Sequence, residues 1–184
     1  MENRTQDPAI VDQLAYAIRS PHQQRVDAFM RLALQDVPST PLQPKPAVRM
    51  LRAKLIFEEA METINALGVQ IVFGGGGQVG EIINDPIANT VKPHDYRLVG
   101  QADLVGIVDG CCDIKVVTTG TLTACGVADQ PVQFAVDANN LAKFGPGHRI
   151  REDGKLIKPP GHKPPDLLSL LTKMGGIHAN MFPE

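Results

Sequence analysis

The sequence predicts an all-α fold: an antiparallel helical bundle with a small inserted β-hairpin and a C-terminal tail made of a short hairpin and a helix. Three observations lead there. Apolar residues recur with a helical period over residues 22–35, 47–68 and 131–144, and residues 101–126 are apolar nearly all round. Strand-like character is confined to two short runs, VQIVF and YRLVG, separated by glycines and by Asp85-Pro86. Prolines gather in the connectors, four of them within the eleven residues DVPSTPLQPKP, where no helix survives.

Taken in order, residues 8–19 read as a short amphipathic helix with Ile10, Leu14, Ala17 and Ile18 on one side. Ser20-Pro21 restarts the chain, and residues 22–35 follow as a helix whose apolar stripe is Val26, Phe29, Met30 and Leu34. After the proline-rich connector, residues 47–68 form the strongest helix, closed by Gly68. The two strands lie within residues 69–99, and residues 101–126 return to helix. Asp129 suits the cap of the next helix, with Pro131 in its first turn and Gly145 or Gly147 ending it. Asp153-Gly154 between Ile150 and Ile157 signals a hairpin, and a terminal helix spans 165–174. The whole chain, residues 1–184, is read as one domain, with a core at 22–145, inserted strands at 69–99 and a tail at 146–184.

Composition narrows the function. Hydrophobic residues make up 43% but aromatics only 4%, so Leu, Ile, Val and Ala must build the core. The formal net charge of −2 lacks the basic excess that polymeric nucleic acid would demand. Three cysteines, two of them adjacent, do not make a disulfide framework and fit a reducing, cytoplasmic setting. The start MENRTQDPAI has no apolar signal core, and no run reaches the ~18 apolar residues of a spanning helix, so no membrane partner is expected.

The chemistry lies in acidic residues on two helices. At ~100° per residue, Leu51, Leu55, Glu58 and Glu62 share a sector with Glu59 at its edge, while Ile56, Ala60, Ile64 and Leu67 lie opposite. On the second helix, Val105, Asp109, Asp113 and Val116 share a sector with Ala102 and Gly120. A Glu-Glu-x-x-Glu run is ordinarily a solvated face; leucines on its own stripe and two aspartates on an apolar helix argue for burial instead. An ionised carboxylate is costly to bury unless a cation meets it. Lys54, Arg52 and Lys115 project mostly to other sectors, so a hard divalent cation with oxygen ligands, Mg²⁺, is the expected partner. In residues 131–144, Val136, Asn140 and Lys143 share one side, and Asn140 with Lys143 suits a phosphate.

These elements, in this order, resemble the MazG-like all-α nucleotide pyrophosphohydrolase superfamily, which includes the phosphoribosyl-ATP pyrophosphohydrolases and the dimeric dUTPases. LRAKLIFEEAMETINAL resembles its Glu-Glu-x-x-Glu helix, DLVGIVDGCCDIKVVTTGTLTACGV its Asp-bearing partner helix and DANNLAKF its Asn-x-x-Lys segment. The tail REDGKLIKPPGHKPPDL is similar to an extension of longer members, and the likeness runs over residues 25–171. The resemblance implies Mg²⁺-dependent (or Mn²⁺-dependent) hydrolysis of a nucleoside triphosphate to monophosphate and pyrophosphate, by a homodimer or homotetramer. It implies metal ligands at Glu58, Glu59, Glu62 and Asp113, with Glu59 also orienting or deprotonating the attacking water. Asn140 and Lys143 become phosphate contacts, and Phe29 and Lys54 further substrate contacts. Two positions depart from the pattern. Gly110 stands where the partner helix usually has Glu, and Asp109 is expected to take over from the same face as Asp113. Met30 stands where many longer members have His. Alternative functions are a non-catalytic nucleotide- or metal-binding module and phosphoribosyl-ATP hydrolysis.

Other motifs carry less. Gly75-x-Gly77-x-x-Gly80 matches a dinucleotide fingerprint, but the following EIIN meets Asp85-Pro86 before a helix can form. Cys111 and Cys112 are expected in the core, and the five scattered histidines suggest no metal site. The basic tail (Arg149, Arg151, Lys155, Lys158, Lys163) reads as a solvated hairpin, with a lid over the phosphates as the alternative.

Overall fold

The computed structural model describes residues 17–72, 95–144, 148–152 and 154–175. Most of the helix expected at 8–19 and the whole glycine run Gly75–Gly80 lie outside these residues. The described residues are mainly helical, with two small two-stranded sheets, which is the all-α architecture that the sequence predicts. None of their helices is long and apolar enough to cross a membrane. The chain divides into two compact units, Met1–Arg52 with Thr118–Glu184, and Ala53–Val117.

In the first unit, α1 (Pro21–Leu32) starts where proline costs no hydrogen bond, and Ser20 Oγ caps it by accepting from Gln23 N at 3.0 Å. It stops three residues short of the expected end, because Leu34 turns to a positive φ of 56°. Val26 and Met30 are buried, while Phe29 and Leu34 are exposed; the predicted four-residue stripe therefore breaks as the helix ends. The proline-rich connector leads to α2 (Pro46–Ala66), and α3 (Leu104–Ala124) contributes its C-terminal end to this unit. Gly126 closes α3 at φ 69°, with Val127 N donating to Leu122 O and Gly126 N to Thr123 O. A β-carbon at Gly126 would fall 1.9 Å from Thr40 O, so the connector lies directly against this turn, and Leu42 N donates to Cys125 O at 2.9 Å.

Helix α4 (Asp129–Leu141) follows, continued by a 3-10 turn to Phe144. Asp129 does not cap α4 as the sequence suggests. Ala128 holds that position, and Asp129 accepts from Ser20 N at 2.7 Å and from Ser20 Oγ. The tail pairs β3 (Arg149–Ile150) with β4 (Leu156–Ile157) and ends in α5 (Leu167–Lys173), capped by Asp166. Val127, Ala128 and Met174 form a buried cluster, with Leu122, Cys125, Val132 and Leu171 packed around it.

In the second unit, α2 runs into β1 (Val69–Val72), which pairs antiparallel with β2 (Asp95–Leu98) from Val69↔Leu98 to Val72↔Asp95. Gly68 adopts φ 70°, and a β-carbon there would sit 2.7 Å from Gly100 O. Val99 N donates to Gly68 O, and Asp103 N to Ala66 O, both at 2.8 Å. These bonds fasten the start of α3 to the end of α2.

Candidate active site

Two glycines set how α3 meets α2. A β-carbon on Gly106 would lie 3.2 Å from Ala66 Cβ, and one on Gly110 would lie 2.3 Å from Thr63 Oγ1 and 3.2 Å from Thr63 Cα. Ascending α3 from Gly106 to Gly110 thus descends α2 from Ala66 to Thr63, so the helices are antiparallel and nearly in backbone contact. The next turn along this register brings Asp113 opposite Glu59. The residues shown facing one another are Gly106 and Gly110 on α3 and Ala66 and Thr63 on α2. Thr63 is buried, and its hydroxyl donates to Glu59 O at 2.7 Å.

Electrostatics follow this register. The Glu59 carboxyl is held above its ordinary range, first by loss of hydration and then by the negative charges of Asp113, Glu62, Glu58 and Asp109. The other four acidic residues singled out in the sequence therefore all act on the Glu59 carboxyl. Glu59 and Asp113 are half-buried; Glu58, Glu62 and Asp109 are exposed and flank them. Lys54 Nζ pairs with Glu58 at 3.5 Å, an exposed i,i+4 contact of little energetic weight. Among the described residues no three acidic, histidine or cysteine side chains gather around one point, so the carboxylates share a field without forming a closed chelate.

Several expectations need correction. The stripe of Leu51, Leu55, Glu58 and Glu62 does not face the interior of this chain: Leu51, Glu58 and Glu62 are exposed. The stripe that packs lies a quarter turn away and contains Glu59, which the sequence placed at the edge. Helical periodicity identifies a stripe but does not say which of two adjacent stripes meets the neighbouring helix. The apolar start of α3 is likewise open, with Leu104 74% and Val105 80% exposed, because α2 contacts only the glycine face. Cys111 and Cys112 are exposed for the same reason, and not in the core.

The substrate-contact candidates outside this helix pair belong to the first unit. Lys143 Nζ donates to Asn140 Oδ1 at 2.6 Å, so the Asn-x-x-Lys spacing does join the two side chains, through the 3-10 turn that follows α4. Phe29 is 62% exposed on α1.

Sequence reasoning missed three groups. The small residues Gly106, Gly110 and Thr63 set the helix spacing; the signal for them was the four-residue interval between the glycines. Asn139, beside the predicted Asn140, holds the tail by donating to Lys163 O at 2.7 Å, and its Oδ1 lies 3.0 Å from His162 Nε2. A buried polar network was also missed. Thr123 Oγ1 donates to Asp27 Oδ1 at 2.7 Å, and Arg19 pairs with Asp27 at 2.6 Å. Gln23 Nε2 donates to Val127 O at 2.8 Å, while its Oε1 accepts from Asp129 N at 2.8 Å. These polar groups are satisfied by one another, which makes them structural rather than reactive.

A close antiparallel helix pair bearing carboxylates on its rim, within an all-α fold, is the arrangement expected of the MazG-like class that the sequence resembles. The sequence matches the phosphoribosyl-ATP pyrophosphohydrolase family over residues 25–140, and the chain belongs to that family. It is accordingly a hydrolase of phosphoric anhydride bonds in nucleotides. No curated protein matches the chain.

Proposed function

We propose that the protein hydrolyses a nucleoside triphosphate, with Mg²⁺, to the monophosphate and pyrophosphate. The observation that carries this reading is the convergence of four carboxylates from α2 and α3 on a fifth, Glu59, whose own charge they oppose. The donor set is all carboxylate oxygen, the chemistry that suits Mg²⁺ better than Zn²⁺ or copper. Glu58, Glu59, Glu62, Asp109 and Asp113 would hold the ion. Three of them, Glu58, Glu62 and Asp109, are exposed, and the Lys54 contact of Glu58 is a weak surface pair. Bound there, the metal supplies charge neutralisation for the phosphate oxygens and acidifies a water.

The protein groups divide the remaining work. Glu59, with its raised proton affinity and a position fixed by Thr63 and Gly110, accepts the proton of the attacking water. Asn140 orients the ammonium of Lys143, which stabilises charge on the departing pyrophosphate. Lys54 and Phe29 are further substrate contacts. A homodimer or homotetramer would cover the exposed Leu104, Val105 and Val108 of α3.

The test is pyrophosphate release from a panel of nucleoside and deoxynucleoside triphosphates with Mg²⁺ or Mn²⁺, beside Glu59→Gln and Asp113→Asn. Release that depends on both carboxylates is expected. An intact panel under all conditions would defeat the proposal. Phosphoribosyl-ATP, named by the matched family, is the second reading and belongs in the panel. The glycine at position 110 does not favour a non-catalytic module, because it is a packing contact with Thr63.

A further inference from the structure

The first unit contains a buried cation that the proposed hydrolysis does not use. Arg52 is only 7% exposed. Its Nη2 contacts Met30 Sδ at 3.5 Å and donates to Gln35 Oε1, both neutral acceptors. Its Nε is buried with no acceptor. Gly120 makes room for the group, since a β-carbon there would stand 3.0 Å from Nη1. Burial lowers the proton affinity of the guanidinium, but an arginine remains charged at physiological pH. No carboxylate among the described residues pairs with it.

Arg19 provides an internal comparison. It too is largely buried, yet it has Asp27 at 2.6 Å and Pro38 O at 2.7 Å. In the same unit, then, one buried arginine is neutralised and the other is left with neutral neighbours. An uncompensated buried charge is expensive, and its usual resolution is a counter-charge.

Arg52 lines a cavity of about 650 Å³ beneath the proline-rich connector, within the range of small-molecule sites. The walls are mainly apolar, including Leu34, Val37, Leu42, Val48 and Leu51. The charged side chains around it are Arg52, Lys45 and Asp36, with Lys45 and Asp36 exposed. Their sum is one positive charge, located chiefly at the buried end. That balance suits a single negative charge on an apolar body and is a poor match for a triphosphate.

We propose that this cavity binds a small amphiphilic monocarboxylate, whose carboxylate accepts from the Arg52 guanidinium while its apolar part lies between the connector and α2. Gln35 holds the guanidinium in place, and Gly120 leaves space for its plane. The ligand neutralises Arg52 and fastens the connector over the cavity. This site is independent of the carboxylate rim and of the proposed hydrolysis.

The experiment uses the full-length protein with nitrogen-15-labelled arginine. The Nε–H resonance of Arg52, assigned by Arg52→Lys, is followed during titration with phenylacetate and octanoate. Phenylethanol and octanol serve as uncharged counterparts, and inorganic phosphate and dUTP as competing anions. Saturable shifts are expected with the carboxylates and not with the alcohols. Hydrogen bonds to charged groups imply binding about tenfold or more weaker in Arg52→Gln. If Arg52→Gln does not fold, Val48→Phe, which fills the cavity from its half-buried wall, should abolish the shift while Arg52 remains. Equal binding of the alcohols would overturn the proposal, as would no carboxylate binding up to about 10 mM. A response to dUTP alone would overturn it by assigning Arg52 to the substrate. An Arg52 Nε–H already carrying a carboxylate acceptor in the ligand-free protein would overturn it too.

Discussion

Adding one methyl group at Gly110 is the most direct perturbation of the helix pair. In Gly110→Ala the new carbon would lie 2.3 Å from Thr63 Oγ1, 3.1 Å from Thr63 Cβ and 3.2 Å from Thr63 Cα. The hydroxyl cannot simply swing away without giving up its 2.7 Å bond to Glu59 O, and the backbone atom cannot move without moving α2. Overpacking of this kind costs about 1–3 kcal/mol. Replacing glycine by alanine inside a helix returns about 1 kcal/mol. The net expectation is a loss of about 0–2 kcal/mol, and in a chain of this size each kcal/mol lowers the midpoint by about 2–4 °C. Thr63→Ala removes the nearest atom but keeps its Cβ, so the double variant should recover part of the loss in a non-additive way. Separation of the helices should also weaken the field on Glu59 and move its titration back toward the ordinary range. Urea denaturation of the four proteins, with carbon-13 titration of the Glu59 carboxyl, measures both effects. A Gly110→Ala protein stabilised by the full helix-propensity gain, with Glu59 titrating as before, would refute the close-contact reasoning. Gly110→Glu, which restores the residue typical of related sequences, should destabilise further and not add a ligand.

Three further outcomes are expected. Because the Glu59 value is raised in the folded state, the stability tied to this group is present below its unfolded value and is lost as pH rises through its folded value. Glu59→Gln should therefore raise the metal-free midpoint at neutral pH and change little in acid; calorimetry across pH with a chelator checks this, and added Mg²⁺ should stabilise the native protein more than the variant. Asp27→Ala leaves Arg19 and Thr123 without their buried acceptor and should cost about 3–5 kcal/mol by chemical denaturation, the usual penalty for breaking a buried pair. Asn139→Ala removes the ties to Lys163 and His162. Limited trypsin digestion should then cut the tail after Arg149, Arg151 or Lys155 sooner, while global stability falls by only about 1 kcal/mol.

Much of the fold was legible because its signals are local. Period, proline positions and Gly68 placed α2, the strands, α3 and the tail hairpin close to where they lie. The acidic set was legible too, since five carboxylates at helical spacing on two apolar helices stand out in one dimension. What the residues alone did not reveal is which side of each helix meets the other. That choice is made by Gly106 and Gly110 against Ala66 and Thr63, whose missing bulk permits an approach that larger side chains on neighbouring stripes would block. The leucines beside Glu58 and Glu62 looked like an inward face, a reading that reverses once backbone proximity replaces hydrophobicity as the criterion. The glycine in the acidic motif stands out in the sequence for the Glu it replaces and in the structure for its contact with Thr63. The buried polar network was illegible because Gln23, Asp27, Thr123 and Asp129 are distant in sequence and individually unremarkable.

That network also bears on how the chain assembles. Gln23 on α1 reaches Thr123, Val127 and Asp129, partners that follow it by 100 residues or more. At ~5–20 residues per second, a nascent α1 waits several seconds on the ribosome before any of them exists. The pairing of β1 with β2 and the bond from Asp103 N to Ala66 O span shorter stretches of chain, so they can form first and shorten the effective span to be bridged. Birth order and burial order are therefore opposed in this chain: the helix synthesised early is among the last to be locked.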